Sequence, residues 1–220
     1  RVCIADTVGH ATPQGAAALV RFIRGVVDAT GEEVKVDWHG HRDRGLSVIN
    51  ALAAAAAGAD RLHGTALGIG ERVGNAPMDL LLVNMHLLGW SRRDLTKLPE
   101  YCRLVADTTG VPFPDNYPVV GKDAFRTGTG VHAAAIIKAR AKGHEWLADL
   151  VYSGVPASLV GRRQEIEVGP MSGRSNVEYW LKERGLEAPT PLVDAIFDRA
   201  KNSTKILTET EIREICAQGA

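Results

Sequence analysis

Apolar positions in the first hundred residues alternate between two rhythms. "RVCIADT" (1–7) is a short apolar run ending in polar residues, which predicts a buried strand. In "TPQGAAALVRFIRGVVDATG", Leu19, Phe22, Ile23 and Val26 recur at helical spacing. Thr12 suits the N-cap of that helix, Pro13 its first position and Gly31 its end. "EVKVDWH" (33–39) alternates like a strand, and "GLSVINALAAAAAGA" (45–59) predicts an alanine-rich helix packed against a sheet. "DRLHGTALGI" (60–69) predicts a third strand and "PMDLLLVNMHLLGW" (77–90) a third helix. The order βαβαβα demands parallel strands with right-handed crossovers.

This rhythm stops after Trp90. "VPFPDNYPVVGKDAF" (111–125) carries three prolines and no clean period, as a long excursion or linker would. A helix is predicted over about His132–Lys142 and a short strand in "QEIEVGP". Three further helices are predicted at about Ser175–Arg184, Pro191–Asn202 and Thr208–Gln218. Thr208 and Glu211 have the spacing of a capping box. These segments divide the chain into 1–110, 111–165 and 166–220.

Charge and composition narrow the function classes. Lys+Arg and Asp+Glu are both 26, so no charge excess favours nucleic acid or an anionic membrane. The 45% hydrophobic content is enough for a core. Three cysteines, Cys3, Cys102 and Cys216, show no CxxC spacing, and a reducing, cytoplasmic compartment is expected. There is no signal-peptide pattern and no run of about 18 apolar residues, so a membrane span is not expected.

The chemistry gathers at predicted strand ends. In "WHGHRDRG" (38–45), His39 and His41 point to the same side of a strand, about 6.5–7 Å apart along the backbone. Such a pair can hold one metal ion, although two solvated loop histidines would read the same way. The third strand end, "HGTALGIGERVGN" (63–75), has a glycine density that suggests tight turning near a ligand. Its glycines lack the dinucleotide-binding spacing. Glu71, Arg72 and Asn75 are its polar groups, and Asp6, Thr7 and His10 hold the corresponding place after the first strand. Parallel α/β proteins place their sites at such C-terminal strand ends, so convergence on one cleft is expected.

"DTVGHATP", "HGHRDRGLSVINALAAAAAGADRLHGT", "GIGERVGN" and "VVGKDAFRTGTGVH" resemble, in order, the 2-isopropylmalate and homocitrate synthase family. These are the Claisen-condensing members of the DRE-TIM metallolyases. The resemblance implies an α/β fold: a partial TIM (β/α)8 barrel (strands six to eight) followed by small, mostly helical subdomains. It implies an acyltransferase of amino-acid biosynthesis that joins acetyl-CoA to a 2-oxo acid with a divalent metal ion (Zn, Mn or Mg). His39, His41 and Asn75 match the metal ligands, and Thr7 matches a threonine that contacts the 2-oxo acid. His132 matches a histidine implicated in acid–base chemistry. Tyr152 matches a tyrosine sent toward a neighbouring subunit's active site, and Glu71 one that braces the catalytic arginine.

The family's first strand carries an Arg-Asp-Gly run with an aspartate ligand and that arginine. The only Arg-Asp pairs here are Arg42–Asp43 and Arg93–Asp94, the second on a predicted later helix. The expected partner is therefore an N-terminal barrel polypeptide that supplies the missing strands, as a second chain or as lost sequence. A dimer of complete units follows if Tyr152 works in trans. Departures include His10, where tyrosine is common, and the "RTGTGVH" version of the later motif. The alternatives are a lyase or aldolase of the same superfamily, a metallohydrolase, and a non-catalytic paralogue acting as an assembly or regulatory subunit. The lyases carry a cysteine-bearing loop after the last strand, and "GIGERVGN" has none. A metallohydrolase would want a histidine where Arg44 stands.

Overall fold

The structure, a computed structural model, describes residues 1–218. The chain divides into two compact units, Arg1–Pro114 and Asp115–Ala220. No helix among the described residues is long and apolar enough to cross a membrane.

The first unit is built on a parallel sheet in the order β1 (Val2–Asp6), β2 (Val36–Gly40), β3 (Arg61–Leu62). Val2 pairs with Val36, Asp6 with Gly40 and Asp37 with Arg61. Ile4, Val36 and Trp38 point to one face, where α1 (Pro13–Asp28) and α2 (Ser47–Ala56) cover them through Ala16, Val20, Ala51 and Leu52. Trp38 is buried on this face, worth about 4 kcal/mol for an aromatic of its size. The alanines of α2 let it lie close to the sheet. The opposite face carries Asp37 and His39 in register with Cys3 and Ala5, and both Cys3 and Ala5 are exposed.

Local signals explain the helix α1. Thr12 is extended and its hydroxyl accepts the Gly15 N–H at 3.1 Å, with Pro13 opening the helix as expected. The helix stops at Asp28 and Gly31 takes φ +73° just beyond it. Of the expected stripe, Ile23 packs against the core, while Leu19, Phe22 and Val26 do not. Those residues are exposed, and Ala16, Val20 and Val27 face the core. The helix is apolar on two faces, and the sheet takes the one with smaller side chains.

Two other expectations change. The strand expected over 60–69 shortens to Arg61–Leu62 and passes into a 3-10 turn at Ala66–Gly68. A Cβ on Gly64 would lie 3.1 Å from the Ala76 carbonyl, so the chain turns where two backbones meet. After α3 (Met78–Leu87), a helix α4 (Leu98–Thr109) appears that the rhythm did not indicate. It opens on Pro99 and ends on Gly110 at φ +68°. Arg93 and Asp94, expected on a helix, lie instead in the irregular stretch before it, where the Asp94 carboxylate accepts the Thr96 N–H at 2.9 Å.

In the second unit, β4 (Arg126–Thr127) pairs in parallel with β5 (Glu165–Ile166). The helices α5 (Gly130–Ala141) and α6 (Glu145–Leu150) share a core of Ala133, Ile136, Ala148 and Ile166. The helices α7 (Arg174–Glu183), α8 (Thr190–Lys201) and α9 (Glu209–Gln218) enclose Trp180, Leu181, Ile196 and Ile212. The expected capping box is present: Thr208 N–H donates to Glu211 at 2.7 Å, and Glu211 N–H to Thr208 Oγ1 at 3.2 Å.

Candidate active site

Three loops meet at the C-terminal end of the first unit's sheet. The first follows β1, where Asp6 O accepts the His41 N–H at 3.1 Å. Gly9 (φ +60°) fits tightly there, since a Cβ would lie 2.8 Å from the His41 carbonyl oxygen. His39 lies in β2, and His41 follows it into the second loop. Their rings meet edge to face at a centroid distance of 5.1 Å. The third carries Asn75, which forms an isolated antiparallel bridge with His41.

Two polar atoms here lack a hydrogen-bond partner, as do Trp38 Nε1, Asn50 Oδ1 and His86 Nδ1 elsewhere. His41 Nδ1 and Asn75 Oδ1 are both buried and accept or donate no hydrogen bond. Leaving a buried polar atom unpaired costs roughly 1–3 kcal/mol, and two adjoining ones mark a place prepared for a ligand. Burial, helped by His41 and His63, holds the His39 imidazole below its ordinary pKa. That favours the neutral ring that coordinates metals. Imidazole nitrogen and amide oxygen together form a donor set for a divalent ion of the Zn–Mn type. Among the described residues no three His, Cys, Asp or Glu side chains converge as a metal-binding group. The donors present therefore fit a metal as part of a set.

Thr7 is exposed, and its carbonyl accepts Arg72 Nη2 at 2.6 Å. The Glu71 side chain is 80% exposed, its carboxylate 3.8 Å from the Arg72 guanidinium. The structure thus brings His39, His41 and Asn75 together, with Thr7 tied to the same loops and Glu71 at their rim. His132 and Tyr152 belong to the second unit, where their rings stack at 4.1 Å and 29°. A cavity of about 1040 Å³ also opens in the second unit, but its charged groups pair with one another, as Arg126 does with Glu167 at 3.0 Å. It includes none of the expected site residues.

Sequence reading overlooked His63 and Asp37. The His63 ring lies 5.6 Å from that of His39, and its Nε2 is 3.4 Å from Asp37 Oδ2. Burial pushes the Asp37 carboxyl up, but Arg1, His63 and Arg61 outweigh it and hold it below the usual range. The register Asp37–Arg61 places His63, two residues on, beside His39, a neighbourhood that only the strand pairing reveals.

Residues 1–105 match the family described as HMGL-like. These residues form an HMGL-like domain. The whole chain is 36% identical to a probable 2-isopropylmalate synthase of Ignicoccus hospitalis, over 98% of its own length and 52% of that protein's. It is 34% identical to an (R)-citramalate synthase of Aquifex aeolicus, over 93% of its length and 37% of the relative's. It therefore spans about half or less of these curated relatives. Among solved structures, an HMG-CoA lyase of Acinetobacter baumannii superposes with a TM-score of 0.43 at 26% identity, over 49% of this chain and 36% of that one.

Proposed function

We propose that this chain is the C-terminal portion of a metal-dependent acyltransferase that condenses acetyl-CoA with a 2-oxo acid. The reaction would be of the homocitrate, 2-isopropylmalate or citramalate synthase type. The observation that carries the reading is the buried, unpartnered pair His41 Nδ1 and Asn75 Oδ1 at adjoining strand ends. Homology to synthases over nearly the whole chain supports it. In this reading β1–β3 are strands six to eight of a (β/α)8 barrel, and their open face with Cys3, Ala5 and His39 looks into the barrel. Parallel sheets are ordinarily covered on both faces, so the partner is a polypeptide segment that closes the barrel.

His39, His41 and Asn75 would hold the divalent ion, which as a Lewis acid polarises a ketone for attack. His39, kept neutral, presents a lone pair without first losing a proton. Thr7 would orient the 2-oxo acid. Glu71, exposed at the rim, is free to brace an arginine supplied by the missing strands. His132, stacked on Tyr152, would pass protons as the acetyl methyl is deprotonated and the new carbon–carbon bond forms. Tyr152 reaching a second copy would make the assembly a dimer of complete units.

The test supplies the N-terminal barrel portion and measures thiol release from acetyl-CoA with small, branched and dicarboxylic 2-oxo acids. Release that requires a divalent ion and is lost in His39→Ala is expected. A folded, metal-loaded complex that releases no coenzyme A with any of them would overturn the reading in favour of a non-catalytic subunit.

A further inference from the structure

Two arginines cross between the site's loops in opposite directions. Arg42 leaves the histidine loop and enters the glycine-rich loop. Its backbone N–H donates to Gly74 O at 3.1 Å, its Nε to Val73 O, and its Nη1 to Leu67 O at 3.2 Å. The glycines make this space. A Cβ on Gly68 would lie 2.7 Å from Arg42 Nη1, and one on Gly74 would lie 3.0 Å from Arg42 Nε. Leu67 is itself fixed, its N–H donating to Asp79 Oδ1 at 2.7 Å.

Arg72 makes the return crossing. It leaves the glycine-rich loop and grips Asp43 of the histidine loop with two hydrogen bonds, at 3.0 and 3.1 Å. The same guanidinium donates to the Thr7 carbonyl, so one side chain spans all three loops. Arg72 does this at φ +59°, a left-handed backbone that residues with a Cβ rarely adopt. The strain persists because the surrounding bonds fix it.

We propose that Arg42 and Arg72 are positioning residues, a reciprocal lock that holds the loop bearing Asn75 against the loop bearing His39 and His41. Neither is a ligand, since both guanidinium groups are engaged by carbonyls or a carboxylate. Only the lock's effect on metal binding rests on the function proposed above. The lock itself is a property of the loops.

The experiment uses the full chain as wild type, Arg42→Lys and Arg72→Gly, with Arg21→Lys as an exposed control. Glycine accepts the positive φ at position 72 without strain but adds backbone freedom to its own loop, so exchange in the facing segment, residues 40–43, is the reading that reports the lost grip. Amide hydrogen exchange is followed over residues 40–43 and 66–75, and cobalt(II) is titrated by its visible absorption. Both variants are expected to exchange at least about tenfold faster in both segments while α1 and α2 stay protected. Cobalt affinity should fall about tenfold or more with a changed absorption band, as for removal of outer-shell partners of metal ligands. Unchanged exchange in the facing loop would overturn the lock. Faster exchange with unchanged cobalt affinity and spectrum would overturn the positioning role. If wild type alone binds no cobalt, the titration is repeated with the N-terminal barrel portion supplied; failure there counts against the metal reading, and exchange alone decides the lock. Should a variant lose protection in α1 and α2, Asp43→Asn, which weakens the Arg72 grip and keeps the side-chain shape, gives the deciding measurement.

Discussion

Gly70 and Gly74 constrain Asn75 in different ways. A Cβ on Gly70 would lie 2.0 Å from Asn75 Nδ2, the movable end of a side chain. A Cβ on Gly74 would lie 1.9 Å from the Gly68 carbonyl oxygen, at φ +105°. Gly70→Ala is therefore expected to keep its melting temperature within a few degrees while weakening metal binding. Gly74→Ala should lose roughly 2 kcal/mol or more of stability, because backbone must move. Melting curves and a cobalt titration of the two variants separate these outcomes. If Gly70→Ala bound metal as tightly as wild type, the Asn75 amide would not be a ligand. Glu167 sets a pH dependence at the scale of one residue. Burial pushes its carboxyl above 4.5, with Asp123 and Glu165 adding to the rise against the Arg126 guanidinium. The folded state then holds a proton that the unfolded state has released, so stability falls as pH rises from 4.5 through the raised pKa. Glu167→Gln should flatten that fall. Denaturant melts at pH 4.5, 5.5 and 6.5 check it, and parallel slopes in the two proteins would refute it.

The helix α1 shows how far element-level reasoning reaches. Its start was legible because Thr12 and Pro13 act locally on the first turn. Its buried face was not, because Leu19, Phe22 and Val26 form as good an apolar stripe as the one the sheet takes. Phe22 is 66% exposed, so Phe22→Ser should change stability by less than about 0.5 kcal/mol. Leu81→Ala, in the core at 3% exposure, should cost about 2–5 kcal/mol. Urea melts of the pair test this, and a large loss in Phe22→Ser would mean its face is covered in the isolated chain. The helix α4 escaped notice because its buried residues Leu98, Cys102 and Ala106 leave only a narrow stripe, two of them small. The histidine pair and the glycine-rich loop were legible because spacing and glycine density are local. The unpartnered atoms, the His63–Asp37 pair and the crossing arginines arise from approach between loops 25 or more residues apart, which no window of sequence displays.

At the scale of the whole chain, each unit has its own apolar core. The segment after α4, with Pro112, Pro114 and Pro118, lacks regular secondary structure, and Val111 is exposed. Brief proteolysis is expected to cut there, and the fragment from Asp115 onward should retain helical circular dichroism and a cooperative melt. A fragment that loses both would show that the second unit depends on the first. The first strand was expected to be buried, yet Cys3 and Ala5 are exposed, since periodicity reports what a strand can bury and not what covers it.

The crossing of Arg42 and Arg72 has a consequence for swapping parts between relatives. The stretches around His41 and Asn75 look like separable motifs, yet each carries the side chain that completes the other. A chimera that imports only residues 38–45 from a relative without arginine at 42 would leave the Val73 and Leu67 carbonyls without their donor, and one without aspartate at 43 would leave Arg72 without its grip. A chimera that imports 36–76 as one block keeps both. The block, unlike either motif, carries both arginines with the groups they hold across the two loops, while the Thr7 carbonyl and Asp79 stay with the host chain.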